Sequence, residues 1–207
     1  MEDREEDSHR EKRVKRFLDK ANQYNEIANV GEIARRAFGN NAFDGILTMI
    51  GVIIGSYTSG IVNPHVVITT GLSTSIAIMI SGAWGAYLTE SAERKKDIDE
   101  LSRHTLSDLN GSHIEKASRF AIFIVSLVDG LSPFLGAIVV LLPFFFSHLF
   151  ASIQAVYFAA LATALVALFA LGIWLGKVAK ENLLGYALKT LLAGIVSIII
   201  GSLLNGN

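Results

Sequence analysis

Two stretches of this sequence place a carboxylate where carboxylates are rare. Residues 42–51 read "AFDGILTMIG" and residues 127–136 read "LVDGLSPFLG". Each contains Asp-Gly, five residues, then Gly, so Asp44 and Asp129 share a local setting at an offset of 85 residues. An ionised side chain in hydrocarbon costs at least about 2.5–3.5 kcal/mol unless it meets water, a cation or a proton. A carboxylate kept in such a place is therefore suited to holding a cation or carrying a proton. Pro133 strengthens the case at Asp129, because a proline frees the carbonyl four residues back, here that of Asp129 itself. Met49 and Met79 are soft ligand types in the same kind of run, and methionines also serve as filler. For Asp44 the alternative is a helix cap, with Asn40, Asn41 or Asp44 capping the first apolar helix. For Asp129 the alternative is packing.

The elements that must position these residues are long and apolar. Five stretches, 42–62, 66–88, 120–146, 151–176 and 183–204, each approach or exceed the roughly 20 residues that cross a bilayer core. They lack period-two alternation and are too long for strands, so helices are expected. The fold class is all-α: a polytopic membrane protein with five transmembrane helices and a short helical cytoplasmic region. Its parts are an N-terminal cytoplasmic amphipathic helix (1–38), a transmembrane hairpin of spans 1 and 2 (39–89), a cytoplasmic helical loop (90–118) and transmembrane spans 3 to 5 (119–207). Of the residues, 51% are hydrophobic, with a mean hydropathy of +0.45, as such a protein requires.

Charge placement orients the spans. Nine Lys and Arg precede span 1, six lie between spans 2 and 3, and Lys177, Lys180 and Lys189 lie around the span 4–5 connection, which accounts for all 18. The connections "SGIVNPH" and "SHLFAS" and the tail "NGN" carry none. Every basic residue thus falls on one side of a five-span arrangement, which predicts a cytoplasmic N-terminus and an outside C-terminus. The tract "MEDREEDSHREKRVKR" has no apolar core of a cleavable signal peptide, so span 1 is expected to direct insertion. Val14, Phe17, Leu18, Ala21, Tyr24 and Ile27 recur at helical spacing and predict an amphipathic helix, either a docking element or a solvated tail.

With no cysteine, disulfides, thiolate zinc sites and cysteine nucleophiles are excluded. No phosphate loop, nucleophile elbow or acid–base dyad is present, so an enzyme is not expected. Basic residues are balanced by acids, which argues against nucleic acid. Asp44 lies eight residues past Arg36 and Asp129 ten past Arg119, or roughly 12–15 Å into a helix at about 1.5 Å per residue. If the shared motif marks a repeat, spans 1–2 and 3–4 are parallel repeats with a site between them; chance similarity of two apolar hairpins is the other reading. Gly51-x3-Gly55, Ser56-x3-Gly60 and Gly172-x3-Gly176 are patterns for close helix approach. Trp84, Tyr87, Tyr157 and Trp174 suit interfacial anchoring or packing, and His65 and His148 fall in the outer turns. In the loop, Glu93, Asp97, Glu100, His104 and Asp108 recur every three or four residues. On a continuing helix they form one stripe, either a carboxylate–imidazole site for Fe²⁺, Mn²⁺ or Zn²⁺ or a solvated face with Arg94, Lys95 and Lys96. "LNGSH" then breaks the helix at a turn.

These motifs reach a family. "NNAFDGILTMIGVIIG", "SGAWGAYLTESAERKKD", "FLGAIVVLLPFFF", "ALFALGIWLGKV" and "LLAGIVSIIIGSLL" together resemble, in order, the five spans of the vacuolar iron transporter family. The resemblance covers about residues 38–204. It implies a homodimer, a metal path lined by spans 1 and 2, and export of Fe²⁺ or Mn²⁺ from the cytosol in exchange for protons. Asp44 maps onto the family's first-span carboxylate. The metal is cargo, and no permanently bound cofactor is expected. The membrane is the cell membrane in a prokaryote, or a vacuolar-type membrane in a eukaryote. Three departures stand out: Ala86 replaces the Glu of the family's Gly-Glu-Tyr, Gly82 stands where the family often has Met, and the family's long acidic cytoplasmic metal-binding region is shortened to about residues 90–118. The alternative is a non-transporting membrane protein, with an assembly or sensor role, on the same scaffold with a decayed metal site.

Overall fold

The computed structural model describes residues 29–106, 108–109 and 111–204. Five helices account for nearly all of them: α1 (Val30–Thr58), α2 (Pro64–Thr105), α3 (His113–Phe145), α4 (Ile153–Ala179) and α5 (Leu183–Leu204). Each is long and apolar enough to cross a membrane, and no strand occurs among the described residues. The all-α architecture with five membrane-spanning helices is therefore as the sequence predicts. The amphipathic helix expected from residues 14–27 lies outside the described residues.

Local chemistry ends each helix. After α1, Gly60 takes φ 69°, a left-handed conformation that glycine adopts without a Cβ penalty. Asn63 Oδ1 then accepts the amide N–H of His65 at the start of α2. A 3₁₀ turn, Ser147–Leu149, follows α3, and the Ser152 hydroxyl caps α4 by accepting Ala155 N–H. Lys180, at φ 56°, closes α4, with Glu181 N–H returning to Gly176 O at 3.1 Å. Asn182 Oδ1 accepts the amides of Leu184 and Gly185 and opens α5.

Two differences from the expected boundaries have physical causes. Helix α1 begins at Val30, well before the apolar run, so Asn40, Asn41 and Asp44 lie in its interior and none caps it. Hydropathy marks where a helix enters lipid, whereas hydrogen bonding marks where it starts. Helix α2 runs unbroken for 42 residues from the apolar run to Thr105. It stops there because Leu106 adopts φ 51°. Asp108 is therefore beyond the helix and leaves the expected stripe.

The chain divides into two bodies. One comprises Arg36–Ala83 and the residues from Val128 onward. Its core is built on Ile46, Met49, Ile50 and Ile53 of α1, Val140, Leu141 and Phe144 of α3, and Leu168 of α4. Helices α1 and α3 approach backbone to backbone: a Cβ on Gly45 would lie 2.5 Å from Pro133 Cα, and one on Gly136 2.7 Å from Ala42 O. The Tyr157 hydroxyl donates to Ile61 O at 2.9 Å, while its ring meets Phe144 edge-on. The Trp174 ring meets Phe38 edge-on. Tyr157 and Trp174 are thus packing residues. In α4 and α5, Gly172 and Gly176 face Ala187 and Leu183, and Thr190 donates across to Leu168 O at 2.8 Å. Small residues permit this approach, and the hydroxyl finds a partner where lipid offers none.

The other body comprises Trp84–Leu127 with the described residues up to Arg35. The first turn of α3 is fixed by "SHIE", a capping-box sequence whose Glu reaches one residue beyond the N-cap. Ser112 Oγ accepts Glu115 N–H at 3.2 Å, and the Glu115 carboxylate accepts Gly111 N–H at 2.6 Å. Gly111 takes φ 74°, as the expected Asn-Gly turn requires.

Candidate functional site

Asp44, Met49, Met79 and Asp129 lie on α1, α2 and α3 in the first body. Helix α1 has two distinct faces. Ile46, Met49, Ile50 and Ile53 are buried in the core. Asp44, Gly51 and Thr58 are exposed, with Thr48 and Gly55 half-buried between them. The spacing 44, 48, 51, 55, 58 keeps these five on one side of the helix. A Cβ on Gly51 or Gly55 would meet nothing within 4 Å. The Gly51-x3-Gly55 pattern is thus not used to pack helices within one chain. Asp44 stands at the head of an open, small and polar face in a helix that is otherwise apolar.

Asp129 sits differently. It is half-buried on α3 and accepts a hydrogen bond from Asn41 Nδ2 of α1 at 2.5 Å. The same Asn41 amide donates to Ala37 O at 2.9 Å, which holds the side chain in place. An amide donor to a carboxylate is a charge-assisted bond and among the stronger hydrogen bonds. Asn41 lies three residues before Asp44, so the two acids are linked through one turn of α1. In the sequence Asn41 reads only as a cap candidate. Its partner is 88 residues away, and no local pattern announces such a pair.

The second motif also explains Gly82. A Cβ on Gly82 would lie 3.1 Å from Asp129 O, and one on Gly130 2.7 Å from Met79 O. Helices α2 and α3 meet here with little side chain between them. A methionine at position 82 would press on the backbone of α3, so glycine belongs to this packing. Met79 is half-buried beside that contact. Met49 is fully buried in the apolar core, and its Sδ would lie 3.1 Å from a Cβ on Gly71. It faces the core while Asp44 is exposed, because five residues along a helix turn the side chain by about 140°.

The stripe on α2 is exposed at Glu93, Asp97, Glu100 and His104. These residues spread over about 16 Å of helix. Among the described residues, no three of His, Asp and Glu come together as a metal group. Glu90 is taken by Arg94 at 3.0 Å. Glu115 is held below the ordinary carboxylate value of 4.5, first by the Gly111 N–H and then by the Arg119 guanidinium. His65 and His148 are exposed.

Comparison with known proteins places the chain among relatives. Residues 36–123, which include Asp44, Met79, Gly82 and Ala86, match the model of the VIT family. A relative from Methanocaldococcus jannaschii, described as an uncharacterized protein, is 31% identical over 173 residues, covering 82% of this chain and 87% of the relative. The family suggests transport of metal across a membrane. On the family match and the near full-length relative, the chain belongs to the VIT family.

Proposed function

We propose that the protein exports divalent metal cations, Fe²⁺ or Mn²⁺, from the cytosol in exchange for protons. In this reading it works as a homodimer in which the open face of α1 meets its copy. The observation that carries the proposal is the setting of Asp44: exposed on an apolar helix, in line with Gly51 and Gly55, where an added Cβ would meet nothing within 4 Å. A carboxylate facing lipid is costly. A second copy meeting along this face removes Asp44 from lipid and brings two carboxylates to one path. Oxygen ligands of this kind suit Mn²⁺, and Fe²⁺ accepts carboxylates as well. A buried carboxyl kept neutral by a proton releases it when a cation binds, which supplies the exchange. Asp129, tied to Asn41, steadies the α1–α3 contact beside Asp44 and is a second candidate proton carrier.

Membrane orientation is part of the proposal. The basic residues favour a cytoplasmic N-terminus and an outside C-terminus. The small residues at 82 and 86 favour the second reading, a non-transporting scaffold with a decayed site. Flux in proteoliposomes separates the two. Metal-dependent flux with Mn²⁺ or Fe²⁺, accompanied by counterflow of protons, is expected for the wild type and lost in Asp44→Asn. Equal flux in both would sink the role given to Asp44, and no flux with no metal binding would favour the decayed scaffold. The chain has no cysteine, so Gly51→Cys introduces a single thiol. Oxidative cross-linking of that variant into a dimer in membranes is expected, and a chain that stays monomeric would refute the interface.

A further inference from the structure

The second body contains a cavity of about 300 Å³ between α2 and α3. That is at the small end of volumes for small-molecule sites. Its place is defined by the hydropathy of the two helices. The apolar run of α2 ends at residue 88 and that of α3 begins at residue 120. The cavity extends from Ser91 and Ile122 outward to Asp99 and Glu115. It therefore opens where the helices leave the hydrocarbon, at the depth of lipid headgroups.

The lining has an order. Along the two helices, Arg94, Lys95 and Arg119 fall between those ends, with the Ser118 hydroxyl, and Ser91 lies at the inner end. Arg94 commits its Nε to Glu90 at 3.0 Å, and Arg119 gives Nε and Nη2 to one oxygen of Glu115. A guanidinium has five N–H donors, so both retain donors for a second acceptor. Lys95 has no acidic side chain within 4 Å among the described residues. Further out, Asp99 likewise has no basic side chain within 4 Å among them. On the bilayer side, Trp84, Tyr87, Leu88 and Phe123 are half or more exposed. Aromatic side chains of this kind gather at membrane interfaces.

The cavity thus offers donors for a phosphate between its ends, a carboxylate one turn further into water, and Ile122 at the end toward the apolar runs, where the exposed aromatic and apolar side chains of the same two helices follow. Three cationic side chains disfavour a metal ion, and the carboxylates disfavour a simple anion. A phospholipid with a primary ammonium beyond its phosphate presents the complementary groups in the same order. Basic pockets between transmembrane helices are known to take lipid headgroups. We propose that this cavity binds the headgroup of a phosphatidylethanolamine-type lipid, with its phosphate among Arg94, Lys95 and Arg119 and its ammonium on Asp99. This inference does not depend on the transport reading.

Native mass spectrometry of the full-length detergent-released protein tests it, with titration of phosphatidylethanolamine, phosphatidylcholine, phosphatidylglycerol and free phosphoethanolamine. Phosphatidylcholine has no N–H to donate, and phosphatidylglycerol has no ammonium. Retention of phosphatidylethanolamine about tenfold above either is expected, as one charge-assisted bond warrants. Lys95→Glu should lower retention of phosphatidylethanolamine and phosphatidylglycerol together. Asp99→Asn should remove the preference between them. Both positions are exposed, and Lys95→Gln serves in place of Lys95→Glu if the latter fails to fold. Equal retention of all three lipids by the wild type would overturn the proposal, as would unchanged retention in both variants. Competition by free phosphoethanolamine at equal concentration would overturn the assignment to a lipid.

Discussion

The two Asp-Gly-x5-Gly stretches have the same pattern and different surroundings. In both, the glycine after the acid is where another helix comes closest: Gly45 lies on Pro133, and Gly130 on Met79 and Ala83. The glycine six positions later separates them. Gly136 packs on Ala42, whereas a Cβ on Gly51 would meet nothing within 4 Å. The acids diverge in step, with Asp129 bonded to Asn41 and Asp44 exposed. The shared motif therefore encodes close backbone approach. What each carboxylate does is decided by the helix opposite, which the motif does not contain.

Substitutions at the glycines should break this comparison most visibly. Gly45→Leu drives a side chain into the backbone at Pro133 and should destabilise the protein by about 3 kcal/mol or more. Gly51→Leu should stay within about 0.5 kcal/mol for the isolated chain. Unfolding in detergent measures both, and equal losses would erase the distinction between packed and open glycines. Next in size is Asp44→Asn. On the proposed reading it lowers metal flux about tenfold or more, since a bond to a charged group is worth about 1.5–3 kcal/mol, and leaves the unfolding midpoint unchanged. A shifted midpoint with normal flux would reverse the roles of the two acids.

The Asn41–Asp129 bond sharpens the contrast. A double-mutant cycle with Asn41→Ala and Asp129→Ala should give a coupling of about 0.6–1.7 kcal/mol, the range for polar contacts between membrane helices. The same cycle with Asp44 in place of Asp129 should give a smaller value. Glu115 provides the smallest effect, as an acid held by its neighbours in water. Its folded-state pKa lies below the ordinary 4.5, so its contribution is present above that value and lost as pH falls through the lowered one. Hydrogen exchange at residues 113–117 should rise as pH drops below about 4.5, after correction for intrinsic rates. Glu115→Gln should remove most of that dependence.

Much of this architecture is written in local pattern. Five apolar runs became five helices, and the span at 183–204 coincides with α5. The turn at Gly111 followed from Asn-Gly. The "SHIE" capping sequence was equally readable, but it lies just past the Asn-Gly turn, whose signal is the stronger of the two. Helix starts were harder, because residues 30–41 are helical without being apolar. The Asn41–Asp129 pair was not readable, because it depends on how α1 and α3 dock. Met49 and Met79 look alike in sequence, and only the packing shows that one is sealed in the core. Gly82 was legible as a departure from the family, while its contact with the Asp129 carbonyl gave the departure a cause.

The seam between α4 and α5 has a consequence best put in the language of genetics. A Cβ on Gly172 would strike the Thr190 hydroxyl and also lie 2.5 Å from the Cα of Ala187 and 2.8 Å from Tyr186 O, so backbone would obstruct it even with Thr190 shortened. A Cβ on Gly194 would instead strike the methyl ends of Leu168 and Leu165. A defect from Gly194→Ala can therefore be suppressed at a second site by shortening Leu168. A defect from Gly172→Ala has no such single partner, because no side-chain replacement moves a main chain. Two glycines on one seam should thus sort in a revertant screen, one yielding intragenic suppressors and the other only true reversion.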